Sequence, residues 1–218
     1  MIEALIFDFD GLILDTETPD YLSWKAVYES FGCELPLMIW QDNIGSVDFF
    51  NPYTHLEELV GRPVDRTAVH AQRQQLDREL LAQQTILPGV ESYLAEARQL
   101  GLKIGLASSS QHAWVDGFLA QLGLIEWFDV ICCRDDVGDR SKPDPAVYLA
   151  ALQALDVPAQ HALALEDSPH GALAAQRAGL RCVIIPNQMT RALSFGPVDH
   201  RLDSLIDMPL LQLFAQIK

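Results

Sequence analysis

Short apolar runs recur along the chain, and stretches with helical periodicity separate most of them. The runs contain many β-branched residues, which suits strands that are buried on both faces of a parallel sheet. They cover Ala4–Phe7, Lys103–Ala107, Phe128–Cys133, His161–Leu165 and Arg181–Ile185. In the stretches between them, apolar residues recur close to every 3.6 positions, as in Val90–Leu100, Ala113–Leu122, Ala146–Leu155 and Gly171–Ala178. This alternation predicts an α/β protein.

The ends of the predicted helices carry their own signals. Glycine followed by leucine ends three of them, at Gly101, Gly123 and Gly179, where a left-handed residue closes the last turn. Asp144-Pro145 and Ser168-Pro169 each place a capping side chain before proline at a helix start. Repeated strand–helix–glycine–strand units predict a doubly wound, Rossmann-like parallel sheet.

Residues 15–84 depart from this alternation because they contain no comparable strand signal. A helical pattern begins at Thr18-Pro19 and ends near Gly32, and a long polar stretch later runs from Asp65 to Gln84. We interpret residues 15–84 as a small all-helical cap domain inserted after the first strand. The α/β core then comprises residues 1–14 and 85–218.

Charge and composition narrow the class of protein. The 218 residues are 49% hydrophobic and carry a formal net charge of −15, which disfavours nucleic acid and anionic membranes as partners. The same charge repels phosphorylated substrates, so a phosphate site would need local positive charge. An acidic surface with this apolar fraction favours a monomer.

The chain shows no targeting signal. Its four cysteines form no CxxC pair or metal-ligand spacing, which is typical of reduced thiols. The start, MIEALIFDFDG, lacks a basic segment and a cleavage site, and no apolar run approaches the ~20 residues of a membrane helix. We therefore expect a cytoplasmic protein.

Polar side chains follow several of the predicted strands. Asp8 and Asp10 end the first apolar run, Ser108-Ser109-Ser110 follow the second, and Glu166-Asp167 follow the fourth. Lys142 lies just before the helix start at Asp144-Pro145. The carboxyl ends of parallel strands meet at one edge, where ligands bind. Each residue alone has an ordinary interpretation as a cap, a turn former or a surface charge, but their convergence at one edge favours a functional site, and the two neighbouring acids Asp8 and Asp10 favour a divalent cation there.

These residues also resemble the motifs of the haloacid dehalogenase-like hydrolases, and among them the β-phosphoglucomutase-like branch with a helical cap. Asp8-Phe9-Asp10-Gly11-Leu12-Ile13-Leu14-Asp15-Thr16-Glu17 is similar to the first motif of that superfamily, and Leu106-Ala107-Ser108 to the second. Lys142-Pro143-Asp144-Pro145 resembles the third motif and Leu165-Glu166-Asp167-Ser168 the fourth. They occur in the family order across nearly the whole core.

The resemblance implies a magnesium-dependent phosphatase that acts on a small phosphorylated metabolite such as a sugar phosphate. In it, Asp8 is the nucleophile and becomes an aspartyl-phosphate, and Asp10 is the general acid and base. Ser108, Ser109 and Ser110 hold phosphoryl oxygens, and Lys142 neutralises their charge. The implied ligands of Mg²⁺ are the Asp8 carboxylate, the Asp10 backbone carbonyl and the Asp167 carboxylate, with Glu166 acting through bound water.

The cap departs from the pattern of the mutases in this branch, although a phosphosugar mutase remains the alternative function. Those enzymes carry a histidine where this chain has Asp20, and an arginine soon after a cap glycine, where Gly45 is here followed by Ser46-Val47-Asp48. Arginines that occur later in the cap could bind a substrate phosphate or carboxylate; they are Arg62, Arg66, Arg73 and Arg78.

Overall fold

The computed structural model of the chain describes residues 1–41, 44–45 and 50–217. Its strands are β1 (Ala4–Phe7), β2 (Lys103–Ala107), β3 (Val130–Cys132), β4 (Ala162–Glu166), β5 (Arg181–Ile184) and β6 (His200–Arg201). Its helices are α1 (Glu17–Ser30), α2 (Leu37–Gln41), α3 (Pro52–Val60), α4 (Arg66–Leu81), α5 (Val90–Gln99), α6 (His112–Leu122), α7 (Ala146–Leu155), α8 (Pro169–Arg177) and α9 (Leu210–Gln216). Short 3₁₀ turns connect several of these elements.

Within the described residues, the strands form one parallel sheet in the order β3-β2-β1-β4-β5-β6. The chain leaves β1 for β2 and β3 on one side and then crosses to β4 on the other side. The switch in direction opens a crevice at the carboxyl ends of the central strands, where ligands bind in open α/β sheets. The predicted doubly wound fold is confirmed.

Alternating side chains of the strands pack on opposite faces of the sheet. Leu5 and Phe7 contact a cluster that includes apolar residues of α5, α6 and α9, whereas Ala4 and Ile6 face a second cluster built largely from α7 and α8. Both faces are therefore covered by helices. This is why the strands read as continuous apolar runs instead of alternating ones.

Local signals fixed the ends of several helices as predicted. Ser168 caps α8, since its hydroxyl accepts a hydrogen bond from the Gly171 amide at 3.1 Å. Gly123 ends α6 with a φ of 71°, a conformation that side chains with a Cβ rarely adopt. The chain beyond Ile185, for which no element was predicted, adds β6 and α9.

The segment between β1 and α5 contains α1 to α4 and no strand in its described part. These helices share an apolar cluster of their own that includes Trp24, Val27, Tyr28, Trp40 and Leu56. Met189 from the α/β core joins this cluster, and its carbonyl accepts a hydrogen bond from Gln41 at 2.5 Å. The separate cluster agrees with a helical cap over the sheet, while the boundaries at residues 15 and 84 stay a prediction. None of the described helices combines the length and apolar character that crossing a membrane requires.

Candidate active site

The predicted catalytic residues converge at the carboxyl edge of three neighbouring strands. Asp8 directly follows β1, Ser108 directly follows β2, and Glu166 is the last residue of β4, with Asp167 next. Because β1 lies between β2 and β4, parallel pairing brings these strand ends side by side. The fold thus places residues that are far apart in the chain around one crevice.

Lys142 reaches this crevice from the loop before α7. Its Nζ atom donates hydrogen bonds to Asp8 Oδ1 and to Glu166 Oε1, both at 2.6 Å. The residue is only 1% exposed, and its ammonium lies 5.0 Å from the ring centroid of Tyr148, a favourable cation–π distance. The Tyr148 hydroxyl donates to the same Glu166 oxygen at 2.5 Å. Lys142 is therefore held at a fixed point between two carboxylates.

The site holds more negative charge than Lys142 balances. Ligand oxygens of Asp8, Glu166 and Asp167 lie within 4.8 Å of one another, and all three residues are buried. Burial raises the pKa of the Asp8 carboxyl to about 7, with Glu166 adding to the rise and Lys142 opposing it. Burial, followed by the charges of Asp8 and Glu166, also raises the pKa of Asp167 well above its usual range.

A divalent cation fits this cluster. Three buried carboxylates around one ammonium repel each other, and a hard cation with oxygen ligands relieves that repulsion. Glu166 already accepts hydrogen bonds on Oε1 from Lys142 and Tyr148, and its Oε2 lies 3.3 Å from the Asp167 amide nitrogen. Asp8 and Asp167 are therefore the carboxylates better placed to bind a cation directly, and the indirect role of Glu166 stays a prediction.

Asp10 is held by donors on both of its carboxylate oxygens. Oδ1 accepts from Thr16 Oγ1 at 2.8 Å and from Trp114 Nε1 at 2.9 Å. Oδ2 accepts from Ser110 Oγ at 2.6 Å and from Ser108 Oγ at 3.4 Å. These hydrogen bonds fix the Asp10 carboxylate in the crevice, near enough to Asp8 to add to the rise of its pKa.

The serine cluster, Ser108-Ser109-Ser110, lies at the sheet edge close to its predicted position, and each serine forms hydrogen bonds with specific partners. The hydroxyls of Ser108 and Ser110 point to Asp10, and Ser108 Oγ also accepts from the Ser110 amide at 2.9 Å. Ser109 Oγ accepts from the Lys142 amide at 3.0 Å and lies 3.4 Å from the Gly45 carbonyl oxygen. The cluster thus joins the first motif, the lysine loop and the cap. Binding of phosphoryl oxygens by these serines stays a prediction.

Gly11 allows the first motif, which contains Asp8 and Asp10, to pack closely against the fourth motif, which contains Asp167. Its φ of 77° is in the left-handed region, and a Cβ there would lie within 3.0 Å of Asp167 Oδ2 and Asn187 Nδ2. Asn187 Nδ2 donates to Asp167 Oδ2 at 2.7 Å and to the Gly11 carbonyl at 3.1 Å. Asn187 therefore orients the Asp167 carboxylate.

The sequence analysis did not single out Trp114, Tyr148 and Asn187, which contact the site, and it quoted Thr16, a donor to Asp10, only as part of the first motif. Asn187 follows the end of β5 by a few residues, so the strand-end rule applied to the fifth apolar run could have indicated it. Trp114 and Tyr148 lie within amphipathic helices, where an aromatic residue ordinarily signals core. No sequence pattern marked them as partners of Asp10 and Glu166.

His112, which the sequence analysis left unassigned, connects α6 to the turn after β3. Its Nδ1 lies 3.1 Å from Asp116 Oδ2 and its Nε2 lies 2.7 Å from Asp136 Oδ2, while its backbone amide faces Asp135. Partial burial lowers the pKa of His112, but the two ring contacts outweigh it and raise the pKa above its usual value. The imidazolium form is thus stabilised.

A cavity of about 190 Å³ lies between the cap helices and the sheet edge. Its core side is lined by Asp8, Asp10 and Lys142, and its cap side by residues that include Glu17 and Arg73. The volume suits a small molecule whose reacting group contacts the buried cluster. Fold and site together define a hydrolase-type α/β enzyme with an aspartate pair at the end of the first strand.

Comparison with known proteins identifies the family. The model of the family described as haloacid dehalogenase-like hydrolase matches residues 5–185, so the chain belongs to that family. "Putative phosphatase YhcW" of Bacillus subtilis is 48% identical over 221 residues, covering 100% of this chain and 98% of the relative. The β-phosphoglucomutase of the same organism is 30% identical over 193 residues, covering 84% of this chain and 82% of the relative.

A solved structure agrees with the fold over its whole length. CbbY from Rhodobacter sphaeroides, as a variant in complex with xylulose-(1,5)bisphosphate, has a TM-score of 0.75 at 28% identity and covers 100% of both chains. The comparisons support the enzyme class predicted from the sequence, a phosphoric monoester hydrolase of the haloacid dehalogenase-like family.

Proposed function

We propose that the protein is a magnesium-dependent phosphatase that hydrolyses a small phosphorylated metabolite of the sugar-phosphate class through an aspartyl-phosphate on Asp8. The observation that carries this proposal is the buried cluster in which Asp8 and Glu166 each accept a 2.6 Å hydrogen bond from Lys142, beside Asp167. Such a cluster opens onto a cavity of small-molecule size. We also propose that residues 15–84 form a cap domain that selects the substrate.

The reaction would proceed in two displacements at phosphorus. In the first, a carboxylate oxygen of Asp8 bonds to phosphorus while the bond from phosphorus to the ester oxygen breaks, and Asp10 gives a proton to that leaving oxygen. In the second, Asp10 takes a proton from water, whose oxygen bonds to phosphorus and releases inorganic phosphate from Asp8. The placement of both aspartates at the same cavity supports these roles.

The remaining polar residues would bind and balance the phosphoryl group. Lys142 would neutralise charge that develops on the phosphoryl oxygens, and Ser108, Ser109 and Ser110 would contribute hydroxyl or amide donors to them. The hydroxyls of Ser108 and Ser110 contact Asp10, and that of Ser109 accepts from the Lys142 amide. Substrate binding would therefore rearrange some of those hydrogen bonds.

Mg²⁺ is the cation that we propose for the carboxylate cluster. The Asp8 and Asp167 carboxylates and the Asp10 backbone carbonyl would hold it, with Glu166 acting through water, and Asn187 keeps Asp167 oriented. When bound, the ion supplies positive charge that offsets the negative charge of the phosphoryl group. The excess of buried carboxylates over ammonium groups supports a cation there.

The alternative function is that of a phosphosugar mutase, because the β-phosphoglucomutase of Bacillus subtilis is one of the relatives of this chain. Hydrolysis is favoured because the cap lacks the arginine after Gly45 that the mutases use to hold the second end of a phosphosugar. A mutase would convert a sugar phosphate into its isomer with little release of free phosphate.

The test is release of phosphate from a panel of small phosphomonoesters, with Mg²⁺ and with a chelator. We expect stoichiometric phosphate release in Mg²⁺, loss of activity with the chelator, and loss of activity in Asp8→Asn. Asp156→Asn is a matched control, because Asp156 ends α7 with a φ of 53°, a conformation that asparagine also adopts readily, and it does not line the cavity. Hydrolysis by Asp8→Asn at the wild-type rate would contradict the proposal.

A further inference from the structure

The cavity carries few cationic groups for a phosphate-binding site. Among the residues that the structure describes, only Lys142 and Arg73 contribute a cationic side chain to its lining. Lys142 is already engaged by Asp8 and Glu166. It lies at the reacting end of the cavity, so it can balance one phosphoryl group and no more.

Arg73 is paired within the cap. Its Nη2 forms an ion pair with Asp20 and lies 3.4 Å from Asp77 Oδ2, while its Nε lies 3.3 Å from Ser23 Oγ. Both carboxylates line the cavity together with the guanidinium. Two carboxyl groups therefore contact one guanidinium, and the charge of Arg73 is compensated within the cap before any anion binds.

The other predicted arginine candidates do not serve the cavity. Arg66 pairs with Glu57 on the outside of the cap, with Nη2 to Oε2 at 2.5 Å. Arg78 lines a groove between α4 and α6, next to Phe118, which shares Arg73, Asp77 and Trp114 with the cavity. Neither these two nor Arg62 is among the residues that line the described cavity.

The cap segment over the cavity cannot supply a cation either. Trp40, Ile44 and Gly45 line the cavity, and the sequence contains no lysine or arginine between Lys25 and Arg62. Residues 42–43 and 46–49, Ser46–Asp48 included, lie outside the described part, yet by sequence they offer two aspartates and no cation. Whatever their placement, they add no positive charge.

The cap side of the cavity is consequently acidic. Among the described residues that line this side, Glu17, Asp20 and Asp77 are faced by one cation, Arg73. Arg78 lies outside the lining, although its charge also acts on Asp77 and opposes the rise that burial causes in the pKa of that carboxyl. Burial raises the pKa of Glu17 well above its usual range, raises that of Asp20 to about 6 and also raises that of Asp77, while Arg73 opposes the rise at Asp20 and Asp77. Even with Glu17 neutral, the wall holds two carboxyl groups, Asp20 and Asp77, for one guanidinium. Carboxylates accept hydrogen bonds from hydroxyl or amine groups, whereas a phosphate or carboxylate placed beside them is repelled.

We propose that the Asp20–Arg73–Asp77 cluster restricts this enzyme to monophosphates whose non-reacting end is uncharged and rich in hydroxyl groups, and that it discriminates against substrates with a second anionic group. The inference rests on the proposed phosphatase function. It sets this chain apart from a site that holds a sugar by two phosphates, although its relative CbbY has been crystallised with a bisphosphate.

Matched substrate pairs test the proposal. They are fructose 6-phosphate with fructose 1,6-bisphosphate, xylulose 5-phosphate with xylulose 1,5-bisphosphate, and glycerol 3-phosphate with 3-phosphoglycerate. Because like charges in contact are strongly disfavoured, we expect kcat/KM for the member with one anionic group to exceed that of its partner by at least ~30-fold. Equal values, or preference for the bisphosphates, would overturn the inference. If no phosphomonoester were hydrolysed at all, the proposed function itself would fail instead.

A variant tests the assigned residues. Asp20→Asn removes one carboxylate from Arg73, so kcat/KM for the bisphosphate should rise at least ~5-fold relative to the monophosphate. Asp77→Asn should move the ratio in the same direction, which guards against a folding defect in the first variant. Glu57→Gln is the control, because it releases Arg66 in the same way but outside the cavity; its ratio should equal that of the wild type. An unchanged ratio in both aspartate variants would refute the role of the cluster.

Discussion

Gly171 provides the sharpest test of how closely the fourth motif is packed. It lies in the first turn of α8, and a Cβ there would lie well inside 3.0 Å of Oε1, Oε2 and Cδ of Glu166. Its φ is not in the left-handed region, so alanine meets no backbone strain. Gly171→Ala therefore perturbs one thing, the space that the Glu166 carboxylate occupies.

The magnitude follows from what Glu166 would lose. Alanine in place of glycine favours a helix by up to ~1 kcal/mol, but overpacking costs about 1–3 kcal/mol. A displaced Glu166 also gives up hydrogen bonds from Lys142 and Tyr148, each worth about 1.5–3 kcal/mol because a charged group takes part. The free energy of unfolding should fall by roughly 3 kcal/mol or more, which lowers the Tm by roughly 6–12 °C in a chain of this size.

Thermal unfolding of the wild type and Gly171→Ala measures this directly. Gly117→Ala is the matched control, because Gly117 is an exposed position inside α6 with no atom within 4 Å of its would-be Cβ. That variant should gain up to ~1 kcal/mol, or about 2–4 °C in Tm. If Gly171→Ala melts at or above the wild-type temperature, the packing of Gly171 against Glu166 is refuted.

Three further predictions concern neighbouring residues. Trp114→Phe keeps an aromatic ring in α6 beside Phe118 but removes a donor to Asp10, so kcat should fall about 10-fold or more and its pH profile should change. The same substitution at Trp127 should alter neither, and an unaltered profile in the first variant would contradict the role. The pKa of His112 is raised in the folded protein, so the stability advantage of the wild type over His112→Gln should be full below about pH 6.5. It should vanish as the pH rises through the pKa of His112 in the folded state. Denaturant titrations from pH 5.5 to 9 check this, and a pH-independent difference in the free energy of unfolding would count against it. Asp167→Asn removes a buried carboxylate whose pKa is raised, so without divalent cations at pH 8 it should melt above the wild type. Added Mg²⁺ should stabilise this variant less than the wild type; equal stabilisation of the two proteins by Mg²⁺ would contradict the proposed cation site.

The sequence by itself determined β1 to β5, most of the helices of the core and the sheet edge at which the candidate site lies. Apolar runs and helix-end signals are local, because burial on both faces of a strand and closure of a helix depend on neighbouring residues. Asp8, Glu166 and Asp167 could be predicted to meet because parallel strands share one carboxyl edge. The two-residue strand β6 and helix α9 were missed, since His200–Arg201 carries no apolar pattern long enough to recognise.

Only the tertiary structure decided which groups pair across the site. Trp114 contacts Asp10, and Arg73 contacts Asp20, through packing between elements that are distant in sequence. A residue's type and spacing do not reveal such partners, because a helix presents its side chains to whatever the fold places opposite. The sequence made Arg73 a candidate for binding a substrate phosphate or carboxylate, whereas in the structure it is paired with Asp20, because α4 lies against α1.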